Sequence, residues 1–230
     1  MAYGAQPGSN RAGPYLIQTR HVNRVRFLGT ADPWRTSRPA LCVKAAMAEL
    51  VGTLFLTLAA LIAGTPYAVA LTLAAFVYAI GSISGCNINP GVTVGLMAGR
   101  RLPIVAGILY LVAQVAGALL ARAVAVLVVG ALPPYHAGGP WAEGFGFAFL
   151  MLTVVAVSDK YVPRAGTGLA IGAALAAGLL TSKGIINPAI AVAMGQVLTP
   201  GTWAPLVSAV VFTVLFTLIE PKGGSHEQGG

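Results

Sequence analysis

Apolar residues dominate this chain in long, nearly unbroken runs, at 41–64, 66–83, 103–132, 142–157, 165–181 and 203–219. Most of these runs approach the ~20 residues a helix needs to cross ~30 Å of hydrocarbon, so the pattern predicts six spans. Two further stretches, "GCNINPGVTVG" at 85–95 and "GIINPAIAVAMG" at 184–195, lie in equally apolar surroundings yet carry Asn-Pro and several glycines. Proline suits the first turn of a helix, where its missing N–H would have no partner, so each Asn-Pro reads as an N-cap followed by the first helical residue. About ten apolar or small residues follow each proline, long enough for half a membrane. The pattern therefore predicts two re-entrant half-helices that dip in from opposite faces and meet at Asn89 and Asn187. Irregular backbone at that depth survives only where it lines a cavity or is packed in protein.

An internal repeat organises the chain. "AELVGTLFL" at 48–56 is echoed by "AEGFGFAFL" at 142–150, each expected to open the first helix of its half. Each half runs from a glutamate-headed helix through a second helix and an Asn-Pro motif to a third helix. With three spans between the copies, the second half inserts upside down relative to the first, a plan that places a site near the bilayer midplane. The fold class expected is all-α and membrane-embedded: an inverted repeat of three plus three spans with two half-helices. Residues 1–40 form a basic extension, 41–220 the membrane domain and 221–230 a short tail.

Composition agrees, with 57% hydrophobic and only 9% charged residues, which excludes a soluble domain of ordinary size. The surplus of 14 Lys+Arg over 6 Asp+Glu reports orientation and not a nucleic-acid partner. Arg11, Arg20, Arg24, Arg26, Arg35, Arg38 and Lys44 precede or open the first span. Arg100, Arg101, Lys160, Arg164 and Lys222 fall on the same side, whereas Lys183 is opposite and Arg122 lies within a span. The positive-inside bias then puts both termini in the cytoplasm of a multi-pass protein of the cell (inner) membrane. The stretch 11–38 is expected to be a solvated tail, to lie on an anionic leaflet or to dock on a membrane-complex partner. Cys42 and Cys86 lack CxxC spacing and imply no disulfide.

Two half-helices meeting head to head present two amides and two positive dipole ends to a shared passage. Cations are repelled there, and the amide N–H groups hold a passing neutral solute by its oxygen. Small residues around the motifs, Gly81, Ser84, Gly85, Gly91, Gly95, Gly184, Ala189, Ala191 and Gly195, allow close packing of the half-helices. Glu49 and Glu143, costly in hydrocarbon, are expected to accept hydrogen bonds from the loops' backbone N–H groups; a proton-carrying role is the alternative.

The chain resembles the aquaporin, or major intrinsic protein, family. "SGCNINPGVT" is similar to that family's first motif, "INPA" at 186–189 to its second, the two AE-headed segments to its paired openings, and "AQVAGALLA" at 113–121 to its third-helix signature. The resemblance covers residues 45–220. It implies six tilted helices plus two half-helices, one pore per protomer, a homotetramer, and passive passage of water, glycerol or other small neutral solutes, with no cofactor and no metal. The pore motifs would be Asn89, Pro90 and Gly91 with Asn187, Pro188 and Ala189. Gly91 stands where the family usually has alanine, a change expected to matter little, and Asn87 stands where a histidine is common. Ile190 takes the place of the usual filter arginine. Matched positions then give an expected filter of Val69, Leu179, Gly184 and Ile190, without a side-chain donor. Lys183 is a possible replacement cation, and Ala191 stands where glycerol-conducting relatives tend to have aspartate.

An enzyme is not indicated: His21, His136 and His226 are scattered, Asp159 sits in a loop, and no metal-ligand spacing or nucleophile elbow occurs. A coupled carrier would want an ionisable group at the midplane, where this sequence offers amides. The rival from another class is a non-conducting structural subunit with the same fold, docked on a larger membrane complex through its basic extension.

Overall fold

The computed structural model describes residues 39–132 and 137–220. The basic extension through Arg38, His136 and the tail bearing Lys222 lie outside the described residues. Among the described residues, six long helices are apolar enough to cross a membrane. They are α1 (Pro39–Leu58, continued by a π-helical turn Ala59–Ala63), α2 (Pro66–Ser84), α4 (Ile104–Val129), α5 (Pro140–Ser158), α6 (Thr167–Ser182) and α8 (Pro200–Ile219). Two short helices interrupt them, α3 (Pro90–Ala98) and α7 (Pro188–Ala193).

Local chemistry sets these boundaries. Pro66 starts α2 behind Thr65, whose hydroxyl accepts from Ala68 N at 3.2 Å, and Gly85 closes it at φ 91°. The segment after Pro39 is rich in good helix formers, so α1 is already well under way at Glu49. That corrects the expectation that both glutamates head their helices: Glu49 lies midway along α1, and only Glu143 sits in a first turn, that of α5.

The described chain begins at Pro39 and ends near Ile219 on the same face, here the basal face; the other is distal. Arg101, after α3, anchors the basal ends. Its Nε donates to Asp159 Oδ1 at 2.8 Å, its Nη2 pairs with Asp159 Oδ2 and with Glu220 Oε2, and Nη1 donates to Thr217 Oγ1 at 3.2 Å. The hydrogen bond to Asp159 raises the guanidinium pKa above its ordinary value.

Contacts follow the repeat. α1 packs on α4 as α5 packs on α8, and α2 meets α6 between the halves. The half-helices cross over: α3 packs chiefly on α8 and α7 on α4, each against the last span of the opposite half. Small residues permit close crossings. A Cβ on Gly117 of α4 would collide with the Leu50 carbonyl of α1, and one on Gly172 of α6 would stand 2.9 Å from the Ala70 carbonyl of α2. The outer surface is largely apolar, with Leu127 85% and Leu198 92% exposed; so much exposed apolar surface suits lipid and not water.

Candidate functional site

The two loops before the half-helices are strained alike. Ile88 and Ile186, β-branched and each one residue before an asparagine, adopt φ 38° and 42°, a region such residues rarely enter. Two buried carboxylates hold them there. Glu49 accepts from Asn87 N at 2.9 Å, Ile88 N at 2.7 Å, Ser84 Oγ at 2.6 Å and Gln114 Nε2 at 2.8 Å. Glu143 accepts from Ile185 N at 2.8 Å, Ile186 N at 2.7 Å and Gly138 N at 2.8 Å. Both glutamates are fully buried. Charge-assisted bonds to otherwise orphaned N–H groups offset both the backbone strain and part of the burial cost of the acids.

The asparagines complete the repeat. Asn89 Oδ1 accepts from Gly91 N at 2.9 Å and Asn187 Oδ1 from Ala189 N at 3.1 Å, each capping the helix that Pro90 or Pro188 begins. With the oxygens so committed, each amide nitrogen faces across the join. Asn89 Nδ2 donates to the Ile186 carbonyl at 3.0 Å, and Asn187 Nδ2 to the Ile88 carbonyl at 3.1 Å. An NH₂ group carries two hydrogens, so one N–H per asparagine remains for the lumen they both line.

That lumen is narrow. A cavity of about 30 Å³ runs past Asn87, Asn89 and Asn187 and is otherwise lined mainly by aliphatic side chains such as Leu73, Val92, Leu150 and Leu175, with room for only a few waters in file. At Val69, Ile185 and Ile190 it adjoins a wider distal cavity of about 250 Å³. The structure brings Val69, Leu179, Gly184 and Ile190 together around this second cavity, and Lys183 with them. The first four are buried and Lys183 is exposed. Lys183 closes α6 in the left-handed region at φ 50° and is the one ionisable residue among the described lining residues. Arg122 meets the end of α7 instead, donating to the Ala193 carbonyl at 2.5 Å, where a cation complements the negative end of the helix.

Small residues act unequally. A Cβ on Gly184 would collide with the Glu143 carboxylate, which its hydrogen bonds hold in place, so that glycine is a packing requirement; one on Gly95 would overlap only the flexible end of Met151. Gly195 has nothing within 4 Å of its position and serves its φ of 78°. Gly91 corrects an expectation: a Cβ there would stand 2.7 Å from Phe147 Cζ, so alanine is not a neutral replacement. The half-helices are nine and six residues long, shorter than expected for the second, because Met194 and Gly195 turn the chain out of α7.

Sequence reasoning missed how Asn87, Thr93 and Gln114 join Glu49 to the lumen. Asn87 Nδ2 donates to Thr93 Oγ1 at 3.3 Å, and Gln114 Nε2 donates to Thr93 Oγ1 at 2.9 Å as well as to Glu49. A glutamine in the middle of an apolar span was the available signal, since an uncharged amide at that depth needs partners.

The family model described as "Major intrinsic protein" matches residues 36–219. Aquaporin Z of Rhodopseudomonas palustris is 31% identical, the match covering 76% of this chain and 93% of that protein. Aquaporin Z of Bradyrhizobium diazoefficiens is 30% identical, with 76% and 94% covered. The X-ray structure of the aquaglyceroporin from Plasmodium falciparum has the same fold, with a TM-score of 0.65 at 16% identity over 77% of this chain and 96% of that one. The paired half-helices, the six spans and these matches carry one conclusion: the chain belongs to the major intrinsic protein family of membrane channels for water or small solutes.

Proposed function

We propose that the chain is a passive channel for water and small neutral solutes, with a conducting path along the two cavities and an aliphatic filter at Val69, Leu179, Gly184 and Ile190. The observation that carries this reading is the crossed pair of bonds, Asn89 to Ile186 and Asn187 to Ile88, which leaves one oriented N–H per amide facing the lumen. A solute held there by its oxygen has its hydrogens directed away from the join, which interrupts a proton wire. The positive ends of α3 and, to a smaller degree, of the shorter α7 oppose cations. Lys183 at the distal rim adds to that barrier, and an aliphatic filter favours solutes that shed water easily.

Residues 41–220 form the channel unit, with 1–40 and 221–230 as appendices. The clustering of Arg and Lys on the basal side supports cytoplasmic termini in an inner membrane, and the family likeness supports a homotetramer with one pore per protomer. A second reading, a non-conducting scaffold docked through residues 11–38, is favoured by the roughly 30 Å³ volume and aliphatic walls of the narrow cavity, since such a constriction can dewet and close. Stopped-flow light scattering on proteoliposomes separates the two. Faster water or neutral-solute flux than in empty vesicles supports the channel, and equal flux across a panel of solutes hands the fold to the scaffold reading.

A further inference from the structure

We infer that Arg122, which lies outside the lumen, is a charge-selecting residue of the channel: its guanidinium, seated on the outer end of α7, helps to keep cations and protons from the Asn89–Asn187 join. The inference rests on the channel reading and names a residue that determines its specificity.

The join is otherwise short of positive charge. Ile190, which α7 contributes to the lumen, carries none. α7 has six residues against nine in α3, so its own positive end is the weaker of the two. Glu49 and Glu143 lie fully buried beside the two loops and form no ion pair among the described residues, so both carboxylates draw cations toward the join. Lys183 is exposed at the distal rim, where salt screens it.

Arg122 is placed differently. Gln114, Ala118 and Arg122 follow one another at four-residue spacing and share one face of α4. Gln114 bonds to Glu49 and Thr93, and the fully buried Ala118 packs with Ala189 and Ala193 of α7. One turn further on, Arg122 donates to the Ala193 carbonyl at 2.5 Å. The cation therefore covers the negative end of α7 and adds a full charge behind it. Among the described spans, Arg122 is the one Lys or Arg more than a turn inside either end. Its exposed side then faces lipid, which holds no salt to screen it. It lines neither of the two cavities along the path, so it adds charge without narrowing the passage.

A helix of six residues is about 9 Å long, which puts the guanidinium roughly 12 Å from Asn187. At an effective dielectric constant of about 20, a unit charge at that distance lowers the occupancy of a monovalent cation about tenfold. A neutral solute is scarcely affected.

The test uses the full chain in proteoliposomes, comparing wild type with Arg122→Lys, Arg122→Gln and Arg122→Glu, each eluting as folded, monodisperse protein. Water flux is read by stopped-flow scattering, and proton entry by an enclosed pH-sensitive dye under a potassium diffusion potential. Proton entry should rise about tenfold in Arg122→Gln and about a hundredfold in Arg122→Glu, which removes one charge and adds another. Water flux should stay within about twofold of wild type, and Arg122→Lys, which keeps the charge, should leak no more than wild type. A role confined to clamping α7 would lower water flux in Arg122→Gln and Arg122→Glu alike without a rise in leak, and that result overturns the inference. Proton entry in both variants equal to that of wild type overturns it too, while leaving the channel intact. A wild type no faster than empty vesicles for any neutral solute removes the channel reading and the inference with it.

Discussion

Gly91 lies against the ring of Phe147 so closely that a β-carbon on the glycine would stand 2.7 Å from Cζ and 2.8 Å from Cε2. The backbone of Gly91 is not in the left-handed region, so alanine would otherwise gain helix propensity of about 1 kcal/mol there. Overlap with a fully buried ring decides the sign. Gly91→Ala is expected to destabilise the protein by about 1–3 kcal/mol, the usual range for overpacking. Thermal unfolding in detergent checks this, and the penalty should shrink when Phe147→Leu is added. A Gly91→Ala protein as stable as wild type contradicts the close fit.

The carboxylate of Glu143 collects three backbone N–H groups from two loops. A glutamine there would turn an NH₂ against at least one donor and leave it unpaired inside the protein. Glu143→Gln should therefore cost about 2–3 kcal/mol and reduce the yield of folded protein. Unaltered thermal stability would show that the acid does not hold the strained loop.

Ile190→Arg places a long donor-bearing cation into the distal cavity of about 250 Å³. Dimethyl sulfoxide and larger solutes should slow by about tenfold or more relative to water, as expected when a pocket loses room for a methyl-sized group. Unchanged selectivity would mean that Ile190 does not line the constriction.

Arg101 supports the basal ends through Asp159 and Glu220. Its pKa is raised, so the stabilisation is fully present below the ordinary arginine value and is lost only as pH rises past the folded value. Thermal stability should accordingly show no loss from this residue between pH 7 and about 10. Arg101→Lys keeps the charge but loses the forked geometry, and is expected to cost about 1 kcal/mol. An alkaline loss of stability below pH 10 that vanishes in Arg101→Lys would contradict this assignment.

Much of the architecture was legible because lipid imposes its own length scale. The run at 203–219 became α8, Pro200–Ile219, and both Asn-Pro pairs marked helix starts, because proline leaves few other roles at that depth. Less legible was whatever depends on a partner distant in sequence. The match to alanine at Gly91 carried no hint of Phe147, which approaches from another helix. The early end of α7 follows from the turn at Met194 and Gly195, and no apolar count foretells it. Val69 follows from its distance to Asn89 and Gly184 only as the filter position left over, and their common cavity follows from the packing of α2 beside the 183–187 loop. The link from Glu49 through Gln114 and Thr93 to Asn87 joins three helices and a loop, each ordinary when read alone.

The most direct measurement follows neutral flux and proton flux in the same vesicles, by light scattering and an enclosed pH-sensitive dye. The crossed asparagine bonds predict water or neutral-solute flux well above that of empty vesicles, with a proton leak no greater than theirs. Neutral flux indistinguishable from empty vesicles, or a proton leak that rises with it, would contradict the account.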